Sequence, residues 1–179
     1  MKRQIRLAGT GGQGQILAGI ILAEAAVVHD GLHAVQSQSY GPESRGGASR
    51  AEVIISDEPI DYPKVMEADL LLCMSQEAYD RYAEEIAEQG VLLVDSSLVQ
   101  PGEPSDRVLQ VPITKMAEEK LGRSIVANVL ALGILVGLTS AVSEEAAREA
   151  VAGRVPPGTE ELNLKALELG LSVAEDLRQ

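Results

Sequence analysis

Short apolar runs alternate with longer helical patterns along most of the chain. Runs of strand length occur at residues 5–8, 33–40, 51–56, 69–74, 91–94 and 107–111. Helical patterns occur at residues 15–28, 75–89, 115–121, 125–138, 143–151 and 159–177. This alternation predicts a three-layer α/β/α, Rossmann-like fold whose sheet is mostly parallel, with room for a mixed arrangement, and whose C-terminal portion is helical.

We expect one domain spanning residues 1–179, because the Pro156-Pro157-Gly158 linker leaves too little chain for a second one. The first residues lack the apolar region of a signal peptide. The longest mainly apolar stretch, residues 125–138, is short for a membrane span. These features predict a soluble cytoplasmic protein.

Composition excludes several functions. The chain has 15 Lys and Arg against 27 Asp and Glu, a net charge of −12, which disfavours binding to nucleic acid or to an anionic membrane. It has four Tyr and no Phe or Trp, so few side chains could stack on bases. The single cysteine, Cys73, cannot form an intrachain disulfide or supply the four thiolates of an iron–sulfur cluster.

Residues 9–14, Gly-Thr-Gly-Gly-Gln-Gly, match G-x-G-x-x-G between a predicted strand and a predicted helix. We call this segment the glycine turn. Glycines permit a tight turn, and free N–H groups at a helix start attract phosphate or carboxylate. The segment therefore favours binding of an anion or nucleotide edge, and the alternative is a turn kept only for close strand–helix packing.

A dinucleotide site of the usual kind requires an acidic residue at the end of the second strand. Here that strand, residues 33–40, contains no acid. Asp30 precedes it and Glu43 follows it in a loop. This weakens the hypothesis of a nicotinamide or flavin dinucleotide.

A second loop, residues 40–49, lies in a segment with an unusual mixture of side chains. Residues 39–50 combine an aromatic side chain, a carboxylate, two arginines and three glycines. Arg45 could hold a carboxylate or phosphate, and the glycines after it allow a partner to approach closely. A plain surface turn with a local Glu43–Arg45 pair is the alternative.

Taken together, the two motifs resemble the gamma subunit of 2-oxoacid:ferredoxin oxidoreductases, which is also an internal domain of single-chain pyruvate:ferredoxin oxidoreductases. The likeness continues through Ile54-Ile55-Ser56, Ile60-Asp61-Tyr62-Pro63 and the helix from Asn128 to Gly133. The second loop is more similar to that of the 2-oxoglutarate type. Pyruvate-type members tend to carry two arginines there and a proline after a single glycine.

This resemblance implies a multisubunit enzyme that decarboxylates a 2-oxoacid on thiamine diphosphate, passes electrons through iron–sulfur clusters to ferredoxin and forms an acyl-CoA. Thiamine diphosphate, magnesium and the clusters would be bound by alpha and beta subunits and by a ferredoxin-like delta subunit. This chain would contact those subunits and coenzyme A, bind no cofactor tightly and be inactive alone.

By the same resemblance, the glycine turn would donate N–H groups to coenzyme A, and the second loop would face the thiamine-binding subunits. No residue is expected to be catalytic or to bind a metal. The residues implied in coenzyme A or interface contacts are Gly9, Thr10, Gly11, Gly12, Gln13, Gly14, Tyr40, Glu43, Ser44, Arg45, Gly46, Gly47 and Asn128.

Other polar residues suggest structural roles. Cys73 lies in an apolar strand and is expected to be a buried thiol. His29 and His33 lack a third ligand and are expected at the surface. Asn128, in an apolar helix, either caps a neighbouring turn or contacts ligand near the glycine turn.

Two acidic segments also suggest structural roles. Residues 95–97, Asp-Ser-Ser, follow a buried strand and are typical of a turn or a helix cap. Glu84, Glu85 and Glu88 are expected on a solvated helix face.

Three hypotheses stay open from the sequence. The chain is a gamma subunit without catalytic residues of its own, a free-standing Rossmann-type oxidoreductase that binds NAD or FAD, or an assembly module that binds no small molecule. The motifs favour the first.

Overall fold

The computed structural model describes residues 1–40, 48–103 and 105–179. The strands are β1 (Lys2–Thr10), β2 (His33–Tyr40), β3 (Ala48–Ser56), β4 (Ala68–Cys73), β5 (Ile86–Asp95) and β6 (Val108–Val111). The helices are α1 (Gln15–Glu24), α2 (Gln76–Tyr82), α3 (Ile113–Leu121), α4 (Ala127–Thr139), α5 (Glu144–Arg154) and α6 (Glu160–Leu177). A π-helical turn, Ala25–His29, extends α1, and a 3₁₀ turn, Ser124–Val126, precedes α4.

The six strands form one mixed sheet in the order β2-β3-β1-β4-β5-β6. Strands β1, β4, β5 and β6 pair in parallel, whereas β3 runs antiparallel to both β1 and β2. The α/β prediction is confirmed, including the mixed sheet that it allowed. The likeness to a Rossmann sheet holds for the parallel half, because β3 is antiparallel and lies between β2 and β1.

Helices cover the two faces of the sheet unequally. On one face, Ile5 and Leu7 of β1 belong to a large core that also contains side chains of α1, α3, α4, α5 and α6. On the other face, Ala8 of β1 joins a smaller cluster beneath the short helix α2. In the described ranges, no helix is both long and apolar enough to cross a membrane.

The predicted helix over residues 75–89 is wrong in its second half. Ser75 caps α2 as expected, accepting a hydrogen bond from the N–H of Ala78. The helix ends at Tyr82, and β5 begins at Ile86, which pairs with Ala68 of β4. Backbone pairing with a buried parallel strand therefore overrides the local helical preference of residues 86–89.

Glu84, Glu85 and Glu88 are exposed, as expected, but the prediction that they share a helix face is wrong. Glu88 belongs to β5, and the Glu85 carboxylate accepts a hydrogen bond from the guanidinium of Arg6. Arg6 is buried and also donates to Glu52 Oε1 at 2.8 Å and to the Val65 carbonyl at 3.2 Å. A buried cation needs such partners, and Arg6 finds one of them in the carboxylate of Glu85, which itself stays exposed.

Helices α4 and α6 pack at very short range because glycines face each other. A Cβ added to Gly133 would lie 2.3 Å from the Leu167 carbonyl oxygen, and one added to Gly170 would lie 2.1 Å from the Leu130 carbonyl oxygen. Backbone atoms cannot rotate away as a side chain can. The short distance between these helices therefore requires glycine at positions 133 and 170, where there is no room for a Cβ atom.

We expect Gly133→Ala to lower the free energy of unfolding by about 1–3 kcal/mol, because the added methyl group overpacks the α4–α6 contact. Denaturant unfolding of the isolated chain measures this loss. Gly153→Ala in α5 is the matched control, since nothing lies within 4 Å of the added Cβ. It should stabilise the chain by about 0.4–1 kcal/mol. Equal effects of the two substitutions would contradict the packing argument.

Candidate functional site

The candidate site lies at the edge of the sheet where the parallel strands end, which we call the carboxyl edge. Strands β1 and β2 end there at Thr10 and Tyr40, and the antiparallel β3 begins there at Ala48. The pairs Thr10–Ala48 and Tyr40–Ser49 hold these ends side by side. The glycine turn and the two ends of the second loop therefore lie at the same edge of the sheet.

The glycine turn needs glycine for its backbone conformation. Gly12 has φ +90° and Gly14 has φ +82°, values that side chains rarely permit. Helix α1 begins directly after Gly14, and its first intrahelical hydrogen bond runs from the Ala18 N–H to the Gly14 carbonyl at 3.0 Å. No acidic residue occupies the first turn of α1. This end of the helix therefore offers N–H donors and partial positive charge.

The side chain of Gln13 holds the turn against the neighbouring strand. Its Oε1 accepts a hydrogen bond from the Thr10 N–H at 2.8 Å, and its Nε2 donates to the Met74 carbonyl at 2.8 Å. A Cβ added to Gly9 would lie 2.4 Å from Gln13 Oε1 and 1.8 Å from Gln15 Nε2. The absence of a side chain at Gly9 thus makes room for two glutamine carboxamides.

Asn128 holds the other end of the turn. Its Nδ2 donates to the Gly14 carbonyl at 3.2 Å, and a Cβ added to Gly14 would lie 2.4 Å from the same atom. The residue is only 6% exposed. The expected capping of a neighbouring turn is confirmed, and contact between Asn128 and a ligand stays a prediction.

Two cavities flank the glycine turn. The larger, about 440 Å³, lies between the turn, the start of α4 and the linker before α6. The smaller, about 300 Å³, extends towards Met74 and Thr114. Gly12, Gln13 and Ile125 line both cavities, and Ile125 is 77% exposed. An apolar side chain at the surface therefore separates two recesses that share one glycine.

The larger cavity combines an apolar floor with polar groups. Leu17, Val155 and Leu162 supply apolar surface, whereas Arg123 supplies a cation and Asn163 a carboxamide. The Arg123 guanidinium and the N-terminus of α1 both favour an anionic or amide-bearing ligand in an otherwise acidic chain. The recess suits a ligand with an elongated apolar part and polar groups along it.

Comparison with known proteins assigns the chain to a family. A model described as pyruvate ferredoxin/flavodoxin oxidoreductase matches residues 4–173. The chain belongs to this family. It is 51% identical over 180 residues to the 2-oxoglutarate synthase subunit KorC of Methanocaldococcus jannaschii, which covers 99% of this chain and 96% of that one.

Solved structures of this oxidoreductase family agree with that assignment. The gamma subunit of a keto/oxoacid ferredoxin oxidoreductase from Geobacter sulfurreducens has a TM-score of 0.89 and 50% identity, covering 99% of this chain and 98% of that one. A 2-oxoglutarate:ferredoxin oxidoreductase from Magnetococcus marinus, solved with 2-oxoglutarate, coenzyme A and succinyl-CoA, has a TM-score of 0.85 and 25% identity. That match covers 98% of this chain and 31% of the longer neighbour. The resemblance found in the sequence is confirmed.

The structure brings only part of the predicted site together. The glycine turn and Asn128 are in contact, and Tyr40 lies at the end of β2 with 67% of its surface exposed. Glu43, Ser44, Arg45, Gly46 and Gly47 lie outside the described residues. Their assignment in this oxidoreductase family member stays a prediction.

Sequence reasoning missed several residues of the site. Arg123, Ile125 and Asn163 line the cavities but lie far along the chain from the glycine turn. The Pro156-Gly158 segment, interpreted as a linker, also lines the larger cavity. Gln15 could have been identified from the sequence as a candidate, because it is a polar residue at the start of an apolar helix.

Asp95 has the structural role that its sequence context predicts. Its carboxylate is fully buried, and its Oδ1 accepts a hydrogen bond from the Ser97 N–H at 3.0 Å. Its Oδ2 accepts hydrogen bonds from the N–H and the hydroxyl of Thr114 at the start of α3. Asp95 thus forms a turn and anchors a helix.

The histidine and cysteine predictions are also confirmed. His29 and His33 are exposed, and Cys73 is buried in β4. Burial raises the pKa of the Cys73 thiol to about 12, an effect that the positive charge of Arg6 partly opposes. Among the described residues, no group of three or more His, Cys, Asp or Glu side chains could hold a metal ion.

The raised pKa of Cys73 predicts a loss of stability at alkaline pH. Above about pH 9 the thiol ionises in the unfolded chain but stays neutral in the folded one, so the unfolded state gains up to about 1.4 kcal/mol per pH unit. This contribution is fully present below pH 9 and is lost as the pH rises towards 12. Unfolding free energies of the wild type and Cys73→Ala between pH 8 and pH 10.5 measure it. A difference between the two proteins that does not change with pH would contradict the prediction.

Proposed function

We propose that this chain is the gamma subunit of a 2-oxoglutarate:ferredoxin oxidoreductase and that its carboxyl edge forms part of the coenzyme A site. The observation that carries the proposal is the opening of the glycine turn onto two cavities. It occurs in a chain whose near full-length structural match is an oxoacid ferredoxin oxidoreductase gamma subunit. The Magnetococcus marinus enzyme, similar over nearly the whole of this chain, was solved with coenzyme A and succinyl-CoA.

In this proposal the chain forms one gamma-type domain over residues 1–179. It contacts coenzyme A and does not itself bind thiamine diphosphate or iron–sulfur clusters. Alpha and beta subunits would hold thiamine diphosphate and magnesium, and a ferredoxin-like delta subunit would hold iron–sulfur clusters. Those groups would supply decarboxylation and electron transfer. A cytoplasmic location stays a prediction from the sequence.

The chemistry of coenzyme A suits the described residues. Its phosphates carry negative charge, which the N-terminus of α1 and Arg123 attract. Its pantetheine arm alternates apolar carbons with amides, which fits a recess with Leu162 on its floor and Asn163 at its wall. The exposed Ile125 between the cavities offers apolar surface to the arm or to a partner subunit.

The choice of 2-oxoglutarate rests on two observations. The second loop is more similar to the 2-oxoglutarate type, and the Methanocaldococcus jannaschii relative at 51% identity is a 2-oxoglutarate synthase subunit. The oxoacid pocket itself would lie mainly on the thiamine-binding subunits.

The structure does not favour the alternative of a free-standing NAD or FAD enzyme. Strand β2 has no carboxylate for ribose hydroxyls. Side chains of this chain already fill the space beside Gly9 and Gly14. Of Gly9, Gly12 and Gly14, only Gly12 faces open space. Little space beside Gly9 and Gly14 is therefore free for a dinucleotide.

Gly12→Ala tests the coenzyme A site. The substitution places a methyl group between the two cavities, so we expect the KM for coenzyme A of the assembled complex to rise about tenfold, equivalent to about 1.4 kcal/mol of binding. The kcat at saturating coenzyme A should change much less. Steady-state kinetics with ferredoxin as acceptor measures both constants.

Gly31→Ala is the matched control for this substitution. Gly31 also has positive φ, +66°, and nothing lies within 4 Å of an added Cβ, but it precedes β2 at the opposite edge of the sheet. Both variants should lose about 1–2 kcal/mol of stability from backbone strain. A similar change in KM for both variants, or none for Gly12→Ala, would overturn the proposed site.

Arg45→Ala tests the second loop. Loss of the guanidinium should raise the KM for coenzyme A or weaken assembly with the thiamine-binding subunits, because it removes a bidentate anion donor. Cofactor loading of the other subunits should be unchanged. Kinetics together with co-purification of the subunits measures these effects, and normal results in both would refute the role assigned to Arg45.

A further inference from the structure

A buried carboxamide connects the glycine turn to the start of β3. Gln15, the first residue of α1, is 1% exposed. Its Nε2 donates to Gln13 Oε1 at 3.0 Å, and its Oε1 accepts a hydrogen bond from Ser49 Oγ at 3.4 Å. Ser49 is 5% exposed, lies at the start of β3 and is the last residue of the second loop. One side chain therefore contacts both motifs of the candidate site.

Through Gln13 this path reaches two further strand ends. Gln13 accepts a hydrogen bond from the Thr10 N–H of β1 and donates to the carbonyl of Met74, the residue after β4. The path therefore runs from Ser49 through Gln15 and Gln13 to the ends of β1 and β4. We call it the amide relay.

Donor and acceptor chemistry gives the amide relay one direction. The Thr10 N–H can only donate and the Met74 carbonyl can only accept, which fixes the orientation of the Gln13 carboxamide. Because Gln13 Oε1 can only accept, the Gln15 atom that faces it must be the donor Nε2. The Gln15 oxygen therefore faces the Ser49 hydroxyl, which donates to it. Among the described residues, no buried side-chain nitrogen or oxygen lacks a hydrogen-bond partner.

The amide relay occupies space that is free because residue 9 is a glycine. A Cβ on Gly9 would lie 1.8 Å from Gln15 Nε2. Burying a carboxamide at the start of a helix that is otherwise apolar costs free energy unless every polar atom is paired. An apolar residue would fill the same volume without that cost. Packing alone therefore does not explain a carboxamide at position 15, whereas its hydrogen bonds to Gln13 and Ser49 do.

We infer that Gln15 is a positioning residue that, in addition to the β1–β3 ladder, fixes the start of β3, and with it the downstream end of the second loop, relative to the glycine turn. This inference rests on the proposed function, because it concerns how the two halves of the coenzyme A site are held together. Gln15 would act through Gln13 and Ser49 and would not touch the ligand.

Two substitutions at Gln15 test the inference in the assembled complex. Gln15→Met keeps the length of the side chain but makes no hydrogen bond, and Gln15→Glu keeps the acceptor but cannot donate to Gln13. We expect both to raise the KM for coenzyme A by about five- to tenfold with kcat within about twofold of the wild type. Ser49→Ala should act in the same direction, whereas Ser49→Thr, which keeps the hydroxyl, should restore the wild-type KM.

A double-mutant cycle separates positioning from simple destabilisation. If Ser49 affects the glycine turn only through its hydrogen bond to Gln15, Ser49→Ala should change the KM no further in a Gln15→Met background. Thr139→Val is the control, because it removes a hydroxyl that donates to the Leu135 carbonyl and accepts from the Ala141 N–H at the other end of α4. It should lower stability without changing the KM.

Hydrogen exchange in the isolated chain gives a readout independent of activity. Gln15→Met and Ser49→Ala should both accelerate exchange of the Thr10 N–H, which lies two hydrogen bonds from Gln15 and three from Ser49 along the relay. Unchanged exchange in Ser49→Ala, or additive effects on the KM, would overturn the inference. If Gly12→Ala raises the KM but the Gln15 variants do not, only the inference fails; if none of them changes it, the proposed coenzyme A site fails as well.

Discussion

The carboxyl edge depends on a simple steric exchange in which side-chain amides occupy the space that glycines leave empty. Gly9 makes room for Gln13 and Gln15, and Gly14 makes room for Asn128. Gln13 and Asn128 then pair with backbone groups where a strand becomes a helix, and Gln15 pairs with the side chains of Gln13 and Ser49. The glycine turn is consequently braced on both sides before any ligand arrives.

This bracing changes how the glycine-rich motif is understood. In a dinucleotide site the glycines admit the ligand or bring helix and strand together. Here two of them admit protein side chains, and Gly12 faces the cavities. A preorganised turn that presents a few N–H groups suits a subunit that completes a site shared with other chains, because little ordering remains to be done on binding.

The mixed sheet places the two ends of the second loop at the same edge as this turn. Since β3 returns antiparallel between β2 and β1, Ala48 pairs with Thr10, and Tyr40 lies on the other side of β3, where it pairs with Ser49. A parallel connection would have required a crossover helix and would have carried the next strand away from β2. The topology that departs from a Rossmann sheet is therefore the feature that brings the two motifs together.

Local patterns were reliable where local energetics dominate. The bounds of β2, the Ser75 cap, the start of α5 and the bounds of α6 follow from alternation, capping residues and helical periodicity. Residues 86–89 were misassigned because their helical pattern competes with a ladder to β4 that lies elsewhere in the chain. The hydrogen bond between Arg6 and Glu85 was missed for the same reason, since the two residues are 79 positions apart.

The fold class, the family and the two motifs could be predicted from the amino-acid sequence, because each is encoded in contiguous residues whose preferences act at short range. The side chains that fill the glycine turn and line the cavities beside it are set by tertiary packing. Asn128 lies 114 residues from Gly14, and Ser49 lies 34 residues from Gln15. Such contacts form when whole helices and strands pack, so no local spacing along the chain encodes them.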